Sequence, residues 1–190
     1  MGPGLPAVLG SRAAIGTAFA AAEVYVPLLL TLQRDLSLAQ AGWVLTTGAV
    51  AWSAGAVLAA RWRVLADQPT RVRLGAVLLA AGIGAFALVA VPGVPLVVAV
   101  LGWAAAGLGI GMAFSTLSVL ALATARAGEE GRTSSALQLD DYLANSAGLA
   151  LGGVVFAGFA ATAPAAAATG LVLAAAVTAA LALVPATRLG

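Results

Sequence analysis

One acidic residue lies deep inside a long apolar stretch and has the clearest chemical potential in this sequence. Arg12, Glu23 and Arg34 are spaced by eleven residues, so on an α-helix they fall on nearly the same face. The two arginines can reach the ends of a membrane-spanning helix, but Glu23 cannot, and an acid at that depth costs about 3 kcal/mol to insert. We expect Glu23 to face a cavity or a partner and to carry protons. The alternative is a hydrogen bond between helices without a further role.

A second group of polar residues lies on one predicted helix near the carboxy terminus. At 100° per residue its members occupy a wedge of about 140°: Ser134, Ser135, Gln138, Asp141, Tyr142, Asn145 and Ser146. Such a wedge avoids lipid, so it lines water or packs on another helix. Gly148 and Gly152 extend one edge of the wedge, and Thr133 is the expected N-cap. The alternative is that the first turns of this helix simply emerge into water.

Several kinds of chemistry are disfavoured by the residue types. The sequence contains no cysteine and no histidine, which removes disulfides, thiolate catalysis and nearly all zinc or iron sites. The glycines at 107, 109 and 111 follow no strand, so they do not indicate a dinucleotide site. No Ser–His pair exists, and Asp140 and Asp141 are adjacent on one helix, unlike the separate aspartates of intramembrane proteases. We expect neither an enzyme nor a bound metal or cofactor.

Composition indicates the elements that must position these residues. Of 190 residues, 62% are hydrophobic and only 8% are charged. No charged residue lies between Leu74 and Ala125 or between Tyr142 and Thr187, and each run is long enough for two spans of about 20 residues. We predict an all-α polytopic membrane protein with six transmembrane helices, at 8–32, 38–60, 74–91, 96–124, 133–161 and 165–184.

The distribution of arginines predicts the orientation. Arg34 falls alone on one side of the predicted spans. The other eight arginines fall on the opposite side: Arg12, Arg61, Arg63, Arg71, Arg73, Arg126, Arg132 and Arg188. Short cytoplasmic loops carry the excess of arginine, so both termini are expected in the cytoplasm of a bacterial cell. There is no basic patch with interleaved aromatic residues, and we expect no nucleic-acid partner.

Two short sequence similarities within the chain indicate an internal repeat. The segment 16–19 (GTAF) resembles 111–114 (GMAF), and 53–55 (SAG) matches 146–148. The offsets of 95 and 93 residues nearly agree. We predict one domain, 1–190, made of two triplets at 8–91 and 96–184. Three crossings per copy make the second copy inverted.

Small residues on the fourth predicted helix favour close packing. Gly107, Gly111 and Ser115 recur every four residues, a spacing that lets two membrane helices approach closely. The third and sixth helices carry almost nothing polar, apart from Thr169 and Thr178. We expect those two helices to face lipid at the periphery.

Taken together, this pattern resembles the carboxy-terminal half of a major facilitator superfamily transporter of the drug-efflux type. The resemblance covers essentially the whole chain and is carried by 22–30 (AEVYVPLLL), 104–112 (AAAGLGIGM) and 128–140 (GEEGRTSSALQLD). The loop 65–73 (LADQPTRVR) resembles the cytoplasmic loop motif of the family. Asp67 and Arg71 match that motif, whereas Gln68 and Thr70 replace its usual arginine and glycine.

The resemblance implies a function. It implies that the first and fourth helices line a central path, with the second and fifth beside it, and that a complete transporter has two such halves. We expect proton-coupled export of a hydrophobic or amphipathic small molecule across the plasma membrane. The path would include Glu23, Arg12, Gln138, Asp141, Tyr142 and Asn145, and the gating loop Asp67 and Arg71. The partner is a second copy or a separate half; the alternative function is a non-transporting assembly or regulatory subunit.

Overall fold

The computed structural model describes residues 5–61, 67–125 and 128–186, and the chain is all-α over these ranges. The long helices are α1 (Leu5–Arg34), α2 (Leu38–Arg61), α3 (Gln68–Ala87), α4 (Leu96–Ala123), α5 (Glu130–Phe159) and α6 (Pro164–Leu181). A 3₁₀ turn (Leu88–Ala90) follows α3, and a short α7 (Leu183–Ala186) follows α6. All six long helices are long and apolar enough to cross a membrane, which confirms the predicted number and type of elements.

Helices α3 and α5 begin earlier than their apolar segments do, whereas α2 and α4 begin where predicted. α3 starts at Gln68 rather than at 74, because the Asp67 carboxylate caps it by accepting a hydrogen bond from the Thr70 backbone N–H at 3.1 Å. α5 starts at Glu130, so the expectation that Thr133 is its N-cap is wrong: the Thr133 N–H already donates to the Glu129 carbonyl. Hydropathy marks the part of a helix that suits lipid, whereas capping decides where the helix begins.

Helix α4 lies between α2 and α3, and α1 lies between α5 and α6. Contacts of α3 with α6, and of α1 with α4 and α2, join the two groups. Four aromatic rings fill the centre. Phe19 stacks on Trp103 at 4.9 Å between centroids and meets the edge of Trp52 at 5.2 Å, and Trp103 also meets Phe86 at 5.8 Å. The core therefore sits where α1, α2, α3 and α4 meet.

Glycines allow α4 to pack closely on both neighbours. A Cβ atom at Gly107 or Gly111 would overlap the carbonyl oxygens of Gly48 and Trp52 on α2. Gly102 and Gly109 face α3 in the same way, against Gly82 and Gly75. Backbone-to-backbone approach of this kind brings many atoms into van der Waals contact, which drives helix association inside lipid.

The third helix is more buried than the sequence predicted. α3 was expected at the periphery, but it is half buried against α4 and α6, and only a stripe containing Leu74, Val77 and Leu88 is exposed. α5 is the least buried helix, with Leu137 alone fully buried among its 30 residues. The low polarity of α3 predicted a peripheral helix, but its small residues, such as Gly75 and Gly82, let it pack closely on α4.

The turn between α3 and α4 is held by Arg34 at the end of α1. Its Nε donates to the Val89 carbonyl at 2.9 Å, and its Nη2 donates to the carbonyls of Val91 and Val94 at 3.1 and 2.8 Å. These carbonyls lie where the helix has ended and have no helical partners of their own. Arg34 thus fixes the end of one helix hairpin to the end of α1.

Candidate functional site

The centre of the candidate site is an ion pair between α1 and α5. Arg12 lies two turns into α1, and its Nε donates to Asp141 Oδ1 at 2.9 Å while its Nη2 donates to Oδ2 at 2.8 Å. The planar guanidinium matches both carboxylate oxygens at once, which is the strongest arrangement for such a pair. The two side chains are only 9% and 16% exposed. The structure therefore brings together two of the predicted path residues that are 129 positions apart.

Helix α4 completes the surroundings of Arg12. Its Nη1 donates to the Ser118 hydroxyl and, at 3.4 Å, to the Phe114 carbonyl. The guanidinium carbon also lies 3.7 Å from the centroid of the Phe114 ring, a position in which the ring's negative face attracts a cation. Arg12 of α1 is thus held by two other helices, α4 and α5. We call Arg12, Asp141, Ser118 and Phe114 the arginine cluster.

Ser118 and Phe114 were not predicted as site residues. Their sequence signal is weak, because a serine and a phenylalanine on an apolar helix usually pack without a charge nearby. The signal that existed was Arg12 itself, since an arginine inside a span requires acceptors from neighbouring helices. Only the fold shows which helices supply them.

Two further polar atoms of α5 are buried without a hydrogen-bond partner among the described residues. They are Asn145 Oδ1 and Asp140 Oδ2. Asn145 lies beside Gly16 of α1, where a Cβ would be 3.7 Å from its Oδ1 and 3.4 Å from the Phe114 ring. Buried polar atoms are normally paired. Asn145 belongs to the polar wedge of α5, whereas Asp140 lies on the opposite side of the helix, so one buried acceptor of the wedge has no partner among the described residues.

Glu23 is exposed and has no hydrogen-bond partner within the described part of the chain. It lies eighteen residues after Leu5 and eleven before Arg34, in the interior of the span. It also follows Gly16 by seven residues, about two helical turns, so the two residues lie on nearly the same face of α1; at Gly16 this face meets Phe114 of α4 and Asn145 of α5. The three residues of the expected stripe therefore have different surroundings. Arg12 forms an ion pair, Glu23 is exposed, and Arg34 holds the turn between α3 and α4.

Pro27 leaves a backbone carbonyl without its helical hydrogen bond at the same depth as the Glu23 side chain. It stands inside α1 one turn after Glu23, and proline has no N–H for the carbonyl four residues earlier. The Glu23 carbonyl therefore lacks its helical hydrogen bond, and it lies next to the exposed Glu23 carboxyl group.

The remaining wedge residues divide between two surfaces. Asp141 and Asn145 face the other helices, whereas Gln138, Tyr142 and Ser146 are exposed, Tyr142 by 68%. The predicted wedge thus runs from the arginine cluster out to an uncovered surface. That uncovered surface of α5, together with the exposed Glu23 on α1, is called the open polar face below.

The predicted gating-loop residues have structural partners. Asp67 caps α3, and Arg71 Nη1 donates to the Ala59 carbonyl at the end of α2 at 2.7 Å. Arg71 also lines a small cavity of about 90 Å³ with Gln68, Ser115 and Thr116. Arg63, Arg126 and Arg188 lie outside the described residues.

The two predicted packing positions on α5 face the same chain. A Cβ at Gly148 would overlap the Thr17 side chain, and one at Gly152 would lie 3.6 Å from the Tyr25 hydroxyl. The edge of the wedge formed by Gly148 and Gly152 thus faces α1 and does not point outward. Across the described residues, no group of three or more His, Cys, Asp or Glu side chains is placed to hold a metal ion.

No protein-family model matches this sequence, and no curated protein matches it significantly.

Proposed function

We propose that this chain is one half of a secondary transporter of the major facilitator type that exports hydrophobic or amphipathic small molecules in exchange for protons. The observation that carries the proposal is the arginine cluster beside an open polar face, inside a bundle whose helices have the length of membrane spans. Charged residues within spans are costly, and they are retained mainly where substrates or protons move.

The arginine cluster supports this proposal because it attaches α5, the least buried helix, to the rest of the helical bundle. α5 buries little apolar surface, and a two-oxygen ion pair fixes it to α1 and α4. The buried pair has paid a desolvation cost that apolar residues would have avoided. A helix held by one polar cluster can change position when that cluster changes its partners, which suits a helix beside a transport path.

Glu23 is the proposed proton site. Its carboxyl group is on the open polar face, in the interior of the span and next to the carbonyl freed by Pro27. A lone carboxyl group in lipid is costly when charged. In a complete transporter this group would face a path between two halves, with Gln138 and Tyr142 on the same face.

The direct test is transport by the purified protein in liposomes. An imposed pH gradient should drive accumulation of a fluorescent hydrophobic cation such as ethidium, and Glu23→Gln should abolish it. Glu130→Gln is the matched control, because it removes an exposed acid at the start of α5 and should leave transport unchanged. Unchanged proton-driven transport by Glu23→Gln would exclude Glu23 as the proton site. No gradient-driven transport by the wild-type chain would mean that two copies of it do not form a transporter, and that it either needs a different half or is an assembly or regulatory subunit.

A further inference from the structure

A groove between α1, α5 and α6 lies on a different side of α5 from the open polar face. Its part nearest the middle of the span has a volume of about 230 Å³ and is lined by residues including Thr17, Tyr25, Gly148 and Gly152. A second part of about 470 Å³ shares Val155, Leu171 and Ala174 with the first and continues to Phe159 and Ala163. The two parts therefore form one elongated groove along α5 and α6.

The Tyr25 hydroxyl is the unusual feature of this groove. Tyr25 is only 7% exposed and its ring packs on Phe156 at 5.5 Å between centroids. Among the described residues, its hydroxyl has no hydrogen-bond partner, although buried tyrosines normally have one. The hydroxyl lines the groove beside Gly152, where the missing side chain leaves room. An unpaired hydroxyl that faces an open space from a mostly buried ring indicates an acceptor supplied by a ligand.

The lining restricts the chemistry of that ligand. No lining residue of the groove carries a charge, so a charged group bound here would have no counter-ion and would lose its hydration. The walls are mainly apolar, with small residues such as Ala18, Ala21 and Ala174 and larger ones such as Leu151 and Phe159. Both α5 and α6 have the length and composition of membrane spans, so the groove opens toward lipid.

We propose that this groove binds a neutral, chain-bearing molecule dissolved in the bilayer, whose carbonyl or ether oxygen accepts a hydrogen bond from the Tyr25 hydroxyl. The chain lies along α5 and α6, against Gly148, Gly152 and the alanines of α6. The Thr17 hydroxyl, which also has no partner among the described residues, lines the same part of the groove and offers a second donor. This site is independent of Glu23 and of the proposed transport cycle.

The test is photolabelling of the purified full chain in nanodiscs with a long-chain methyl ester that carries a diazirine near the ester group. Labelled peptides should come from α1, α5 and α6 around the groove, and excess unlabelled ester should compete. The matching hydrocarbon, which has no oxygen, should compete weakly. Tyr25→Phe keeps the ring on Phe156 and should reduce saturable labelling about three- to tenfold, the effect of one hydrogen bond.

Neighbouring glycines provide a matched control for the apolar part of the site. Gly152→Leu fills the groove and should abolish saturable labelling. Gly153→Leu adds the same side chain where nothing lies within 4 Å and should leave labelling unchanged. Wild-type labelling of both Tyr25→Phe and Gly152→Leu would overturn the proposal. So would labelling that no unlabelled ester reduces, which would mean contact with bulk lipid only.

Failure of this proposal is distinguishable from failure of the proposed function. If Glu23→Gln loses transport but keeps the ester labelling, the proposal that the groove binds a ligand still holds. Labelling is measured without a gradient, so a chain that does not transport is still a valid sample. Gel filtration of each variant checks folding. If Gly152→Leu is misfolded, Gly152→Ala replaces it, because a Cβ at this position would meet only ordinary contacts at 3.6 and 3.8 Å.

Discussion

At the scale of single residues, the pairing of Arg12 with Asp141 is the feature with the largest expected energetic effect. Removal of one partner leaves the other charge buried and unpaired, and such losses reach about 3–5 kcal/mol. Replacement of both by apolar residues of similar size removes the desolvation cost as well, and it is often neutral. The two residues should therefore be strongly coupled.

We predict that Arg12→Met and Asp141→Leu each destabilise the folded protein in detergent by about 2–4 kcal/mol, and that the double variant regains most of this loss. The measurement is a double-mutant cycle of unfolding free energies. Arg132→Met with Glu129→Leu is the matched control, because that pair is exposed and 3.9 Å apart and should show coupling below about 1 kcal/mol. Additive effects of Arg12→Met and Asp141→Leu would contradict the ion pair.

At the scale of helices, the crossing of α4 with α2 depends on glycines in contact with backbone. Gly107 lies against the Gly48 carbonyl, and a carbonyl cannot move aside as a flexible side chain can. We predict that Gly107→Ala separates α2 from α4 and destabilises the protein by at least about 2 kcal/mol, measured as the loss of folded protein in gel filtration after heating. Gly84→Ala should have no effect or a slight stabilising effect, because nothing lies within 4 Å of it. Equal stability of the two variants would contradict this packing.

The orientation of the helices has a separate test by cysteine labelling, for which the chain offers a cysteine-free background. Gly93 and Gly128 have φ of +83° and +86°, so cysteines at these loop tips would be strained, and exposed neighbours are better sites. We predict that Pro92→Cys reacts with an impermeant maleimide from outside intact cells, whereas Glu130→Cys reacts only after the cells are opened. Reaction of both from the same side would contradict the six-span topology.

At the scale of the whole molecule, the open polar face requires a cover. Lipid exposure of Glu23, Gln138 and Tyr142 would leave several polar groups without partners, each of which costs several kcal/mol in hydrocarbon. A parallel second copy would place two such faces around one shared cavity, with α2 of one chain beside α5 of the other. A different chain that supplies the other half would do the same.

We predict that Ser53→Cys on one chain cross-links to Ser146→Cys on another in native membranes. Both serines are exposed. They also lie at similar depth, because Trp52 contacts Phe114 and Gly16 lies between Phe114 and Asn145. Val77→Cys on the exposed stripe of α3, paired with Ser146→Cys, is the control and should give no dimer. A monomer in nanodiscs without any cross-link would mean that a different half covers the face.

The sequence by itself determined the spans and marked the polar residues that are costly to expose to lipid. Charge-free runs such as that from Leu74 to Ala125 have one physical solution in a bilayer, a pair of helices joined by a turn, because each backbone polar group must be paired within its helix. The same reasoning marked Glu23 and the polar side of α5 as exceptions that require an explanation. The 3+3 inverted repeat remains a prediction.

Only the tertiary structure decided which of these residues meet. Arg12 pairs with Asp141 because α5 packs beside α1, whereas Arg34, on the same helical stripe, holds a turn, and Glu23 stays open. The sequence does not distinguish Tyr25 from any other aromatic residue of a span. The fold places its hydroxyl in a groove beside Gly152. Helical periodicity fixes the direction of a side chain on its own helix. Its partner depends on how small residues let the helices approach one another, and that is a property of the packed bundle.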